Sequence, residues 1–340
     1  MAGWALTAVA CESSPPSAPT TAPFADAAAV DGAATALAAA VNTPALRSLA
    51  ALGRYMTLGA PAAAPWSGPT RAACSIAATR DAATPPAPSA AAYPDSLKGR
   101  ILVFEVDSAR YQTVADSGGP ADGVRYLLTA LDQFGNITDS LGYAGWFDLH
   151  DLSAAGAPTM HGQLVAGTTL NTDYTAAPTG SQSSWWMRLD GQVTGAAATP
   201  YAFHDSATGA GAVTTVALQL ASPDSGIAAT LVASHLMLDF ADSRDTFDFR
   251  FARGPDTIAV TGGTFTYCFY PSTDVSIAID GVPFAAGSGL GGAPPSLART
   301  DSLPLTTEQS DALLALIDLR ALLFSWQSSI ATPARLMLGP

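Results

Sequence analysis

At 340 residues the chain has room for one large domain or two modest ones, either able to bury a core without covalent staples. Its net charge is −13 and its one lysine is Lys98. No dense basic patch is available to neutralise phosphates, which argues against nucleic-acid binding and against electrostatic attachment to anionic lipid headgroups. Charged residues make up 13 % of the chain, against about a quarter in an average soluble domain. Alanine, threonine, serine and glycine are abundant, as in an exported protein hydrated by hydroxyls and amides. No run of 18 apolar residues argues for a membrane-spanning helix.

Residues Met1 to Ala10 are uncharged and mostly apolar and lead into Ala8-Val9-Ala10-Cys11. A polar, proline-rich stretch, Glu12 to Thr21, follows. This resembles the end of a bacterial lipoprotein signal peptide, with Ala8 where that family usually has leucine and no basic segment before the apolar run. The resemblance implies a lipid anchor on Cys11, a signal remnant and flexible tether over 1–23, and a place in the cell envelope, periplasmic or surface-exposed. The membrane would then be touched through the lipid alone. Cys74 and Cys268 would remain as a pair, expected as a disulfide in an oxidising compartment, the alternative being two buried thiols.

Residues 24–96 divide into a helical part, 24–58, and an Ala/Pro-rich part. Thr43-Pro44 supplies an N-cap followed by proline at the first helical position. Leu46, Leu49, Leu52 and Tyr55 or Met56 follow at three- to four-residue spacing, and Gly59 is the expected stop.

Over 97–340 the pattern changes to period two. Leu102, Phe104 and Val106 share a face, as do Val124, Tyr126 and Leu128, and then Tyr143, Phe147 and Leu149. The clearest alternation is Thr246-Phe247-Asp248-Phe249-Arg250-Phe251, three phenylalanines inward and three polar residues outward. The same reading puts Phe265, Tyr267 and Phe269 inward, then Val275, Ile277 and Ile279. About a dozen such runs occur before Phe284 at the spacing of an all-β meander. Gly287 to Gly292 reads as a flexible loop. Thr306 and Gln309 form a capping box before a helix whose apolar residues, Leu313 to Trp326, surround much of its circumference. The predicted fold is mainly β (α+β): a large, curled antiparallel meander sheet, half-barrel-like, with N-terminal helices and a C-terminal helix on its concave face. Residues 24–58 are expected to pack with 97–340 as one globular unit.

Chemistry is sparsely signalled. The chain lacks G-x-S-x-G, H-E-x-x-H, C-x-x-C and P-loop patterns, so no catalytic residue and no cofactor is assigned. Asp148 and His150 would project from one face of a strand and are the best metal candidates, although two ligands fall short of a zinc site. They would also centre a dispersed hydrolase site if a pocket joined them to a third polar group. His161, His204 and His235 are further imidazoles without a telling spacing. Asp242, Asp245 and Asp248 could gather around a turn as a calcium site or form a hydrated hairpin tip. Trp185-Trp186 would place one indole inward and one outward, the outer a possible sugar platform.

Three functional expectations follow. The leading one is a non-catalytic envelope lipoprotein that shelters a hydrophobic small molecule or acts as a scaffold. It resembles, at the level of fold, periplasmic carriers that wrap a half-barrel sheet over helices around acyl chains. The others are a surface carbohydrate-binding or adhesion module and the Asp/His hydrolase. The carrier reading fails if Phe324 and Trp326 plug the concavity fully.

Overall fold

The computed structural model describes residues 24–53, 56 and 95–338, apart from 25, 109, 133–134, 136, 138–141, 155–156, 182, 196–198, 239–241, 255, 268–269 and 336. Cys11, Cys74 and Cys268 lie outside the described residues, as do Tyr55, all of 57–94 with the expected stop Gly59, and Phe269.

Among the described residues fifteen strands form a single sheet: β1 Ile101–Glu105, β2 Arg110–Ala115, β3 Gly123–Thr129, β4 Tyr143–Asp151, β5 Met160–Ala166, β6 Thr169–Ser181, β7 Ser184–Thr194, β8 Pro200–Ala210, β9 Val213–Ser222, β10 Ile227–Met237, β11 Ser243–Arg253, β12 Asp256–Tyr267, β13 Tyr270–Ile279, β14 Val282–Leu290 and β15 Ser296–Arg299. From β3 to β15 every strand pairs antiparallel with the next, the meander the alternation predicts. The exception is at the other end, where β1 lies between β2 and β3 and runs parallel to β3. The sheet is therefore mixed and open, with β2 and β15 at its edges.

Three helices, α1 Ala27–Val41, α2 Pro44–Leu52 and α3 Thr307–Arg335, cover one face, called the inner face below. The caps form as expected. Thr43 Oγ1 accepts from the Leu46 amide (3.3 Å), and the Thr306 hydroxyl and Gln309 side chain each accept from the other's backbone amide (3.2 Å each). These contacts satisfy donors that a helix start leaves orphaned. By length and composition α3 could cross a bilayer, but half of its most apolar stretch is buried within the protein. It is a core helix here. The core it completes is continuous, from Phe24 through every strand layer to Leu338.

Phe247, Phe249 and Phe251 of β11 point inward and are buried. At about 1.5–3 kcal/mol for each fully buried large apolar side chain, they are among the stronger ties between sheet and helices. Two inner-face positions show how the sheet admits large rings. Tyr174 is paired on both sides with glycine, Gly162 on β5 and Gly191 on β7. A Cβ at Gly162 would lie 2.6 Å from the Tyr174 ring. Trp185 faces Gly209 in the same way, with a Cβ there only 2.3 Å from the indole. Absent side chains on neighbouring strands make the space that these rings occupy.

Three expectations need correction. Phe265 and Tyr267 point outward and are exposed, whereas Ile258, Val260 and Thr264 hold the inner positions of β12. Register decides this, because Phe249 pairs with Val260 and Phe247 with Gly262, and parity carries Phe265 to the other face. Tyr143 is exposed, unlike Phe147 and Leu149, because the register shifts between Leu128 and Thr129. The glycine-rich segment is not simply a loop: Gly287 and Gly289 belong to β14, and only Gly291 and Gly292 turn the chain, with φ of 66° and 80°.

Candidate functional site: a cleft beside the C-terminal helix

Where the cover of α3 ends, the inner face of β10–β13 borders a cleft of about 300 Å³, half open to solvent. Its floor and walls are set by cross-strand register. One inner row runs Val216, Ala233, Phe247, Gly262 and Val275 across β9 to β13. The next row toward the strand ends runs Thr214, His235, Asp245, Thr264 and Thr273. The inner face thus changes from apolar to polar within one step of the pleat. Helix α3 closes the side with Arg320, Ala321 and Phe324.

Arg320 is the unusual member. Its guanidinium lies 3.9 Å from the centroid of the Phe247 ring, a cation–π arrangement. Its Nε is 3.5 Å from the Ile317 carbonyl, one turn back on the same helix. Among the described residues it forms no ion pair. Burial pulls it below the ordinary arginine range, and the carboxylates of Asp245 and Asp318 oppose that pull. Asp245 is itself engaged, its Oδ1 lying 2.5 Å from His235 Nδ1. The Thr264 and Thr273 hydroxyls are 3.0 Å apart.

Trp326, by contrast, does not line this cleft. It is buried, with its ring edge-on to Phe203 at 4.9 Å. Phe324 only walls the cleft. The concavity is plugged over β8 and open over β10–β13.

The remaining candidates lie apart from this site. Asp148 and His150 share the outer face, as expected, but both Asp148 oxygens accept from Arg125, each at 2.7 Å. A metal would have to displace that fork. His150 Nδ1 is 2.7 Å from Asp122, and its ring stacks on His161 at 5.3 Å between centroids. His161 pairs with Asp173 (2.6 Å) and His204 with Asp190 (2.5 Å). The face around Asp148 and His150 is a lattice of polar pairs between neighbouring strands, and none of these residues lines the cleft beside α3. No cluster of three potential metal ligands occurs among the described residues. The aspartates of the β10–β11 turn are separated: Asp245 faces inward with His235, while Asp248 faces outward and pairs with Arg250. Trp185 is buried on the inner face and Trp186 is 43 % exposed on the outer.

His235 and Asp245 hold the geometry of an orienting carboxylate and an imidazole, but the other ring nitrogen of His235 meets no hydroxyl among the described residues. Two residues escaped the sequence reading. Arg320 was visible as a charge inside an otherwise apolar helix surface. Asp205, taken up below, was visible as a carboxylate at an inward position of β8, between Phe203 and Ala207.

Compared with known proteins, the chain matches no family model, no curated protein and no solved structure.

Proposed function

We propose that this is a non-catalytic, exported binding protein that shelters a small, mainly apolar molecule in the cleft between β10–β13 and α3. The observation that carries the reading is the cleft itself. Its volume, about 300 Å³, falls at the lower end of small-molecule sites, roughly 300–1,000 Å³. Its lining combines an apolar floor of Leu231, Ala233 and Phe247 with a few convergent polar groups. Nile red should bind saturably and be displaced by decanol. Ala321→Trp, which fills the cleft from its exposed helical wall, should abolish that binding while leaving the far-UV circular dichroism unchanged. Undiminished dye binding in this variant overturns the reading.

The envelope location rests on the apolar run before Cys11 and the polar tether after it. Mass spectrometry of the mature N-terminal peptide tests the anchor, and an unmodified Cys11 removes it. A second reading draws on the exposed Trp186, an outward indole whose carbonyl accepts from the Thr179 hydroxyl at 3.5 Å, as a stacking platform for a sugar ring. A glycan array without signal ends that reading and leaves the cleft untouched.

A further inference from the structure

The polar end of the cleft narrows the ligand class; this step rests on the cleft being a binding site. We infer that the occupant is an amphiphilic monoanion, an apolar chain ending in a carboxylate, and that Arg320 holds its head group.

An arginine drawn out of water is normally paired, because its desolvation costs several kcal/mol unless an opposite charge and hydrogen bonds compensate. Arg320 touches the face of Phe247 and, at long range, the Ile317 carbonyl, while the carboxylates of Asp245 and Asp318 act on it without a direct ion pair. The nearest carboxylate on the cleft wall, Asp245, is committed to His235. The remaining guanidinium donors are therefore left for a group that enters the cleft. A guanidinium presents a planar fork that matches a carboxylate with two parallel N–H···O bonds.

The same surroundings select against other anions. One cation stands at this end, and Asp245 lies on the same wall, so a dianion such as a phosphate monoester would meet uncompensated repulsion. The chain as a whole carries −13, which adds to that bias. The Thr264 and Thr273 hydroxyls lie in the polar row and can donate to a carboxylate oxygen. Beyond Arg320, Leu231, Ala233, Phe247 and Phe324 give the cleft an apolar lining that suits an alkyl chain, with Ser234 and Thr246 the polar residues beside them.

The test compares decanoate with decanol, which share a chain and differ in head group, by isothermal titration calorimetry at neutral pH. Wild-type protein should bind decanoate at least about tenfold more tightly than decanol, as expected where a charged hydrogen bond holds the head group. Arg320→Met keeps the length and apolar stem of the side chain. It should lower decanoate affinity about tenfold or more and leave decanol within about twofold. The decanol arm also reports that the variant is folded and its cleft intact. Equal binding of the two ligands, or decanoate binding unaffected by Arg320→Met, overturns the head-group assignment and leaves the cleft function standing. Failure of both ligands to bind the wild-type protein overturns the two together.

Discussion

Asp205 permits the sharpest quantitative test of the packing between sheet and helices. It projects from β8 into the core and is 3 % exposed, flanked across the ladder by Leu189 on β7 and Leu218 on β9. Gln327 of α3 donates to its Oδ2 at 2.7 Å, while Oδ1 has no hydrogen-bond partner. Burial pushes the carboxyl up to about 7, against the hydrogen bonds from Gln327 and the Ser206 backbone, which favour the charged form. In the unfolded chain the same group titrates near 3.8. Below that pH it is protonated in both states and contributes no pH dependence. Between about 4 and 7 the unfolded chain releases its proton while the folded one retains it, so stability falls as pH rises. Above 7 both are ionised and the penalty is constant. At about 1.4 kcal/mol per pH unit, the full penalty is about 4 kcal/mol. Asp205→Asn keeps the shape and the acceptor for Gln327 but removes the titration. Urea melts of both proteins from pH 4 to pH 8 should show the variant gaining about 4 kcal/mol relative to wild type across that window. Effects of other carboxylates cancel in the comparison, and any fixed cost of the substitution appears as a constant offset. A stability difference that stays flat from pH 4 to pH 8 refutes the argument.

Two other substitutions test particular contacts. Gly209→Ala places a methyl 2.3 Å from the Trp185 indole, and the ring, held beneath Arg335, has to move. A loss of about 1–3 kcal/mol with a shift in tryptophan emission is expected; unchanged emission and stability would show that the ring has room. Asp148→Asn leaves Arg125 facing a neutral group under the Trp146 ring. It should cost about 2 kcal/mol, measured by urea melts, and Arg125→Met in the same chain should recover part of it. An additive double variant would show that the pair contributes nothing as a pair.

Much of this fold could be read in the sequence because its strands advertise one buried face. In β11 the phenylalanines and the charged residues alternate without a break, and the observed burial follows them. The helix starts were legible for a local reason, since Thr43 and Thr306 cap through contacts three residues away. What failed depended on register with a distant partner. Phe265 and Tyr267 carry a strong alternation, but alternation alone does not say which side is inner. That was set by Phe249 meeting Val260. Glycine misled in a related way: Gly287 reads as a breaker, yet it serves as a gap in β14, where a Cβ would strike the Ser296 carbonyl at 2.3 Å. The cleft was illegible for a stronger reason. Arg320 and Asp245 are 75 positions apart, and only the docking of α3 places them at one cavity. The pairing of Asp148 with Arg125 likewise depends on which strand lies beside β4.

The position of the cleft follows from a mismatch of dimensions. Fifteen strands at about 4.8 Å spacing make a sheet roughly 65 Å across before curling. Helix α3, with 29 residues, is about 43 Å long, and α1 lies mainly along it while α2 covers β3–β5. The helices cannot roof the whole inner face. Residues beyond their reach must be polar, or apolar and covered by something else. Both solutions appear on β10–β13. Toward the strand ends the inner positions become His235, Asp245, Thr264 and Thr273, which tolerate water. One row nearer the helix, Ala233 and Phe247 remain apolar, and Phe247 is shielded from above by the guanidinium of Arg320. A ligand with an apolar body and one charged end would meet both rows at once: its chain would lie along the apolar residues of the cleft floor, and its head would supply the charge that Arg320 lacks. The conditions that leave the cleft open thereby also define what fits it.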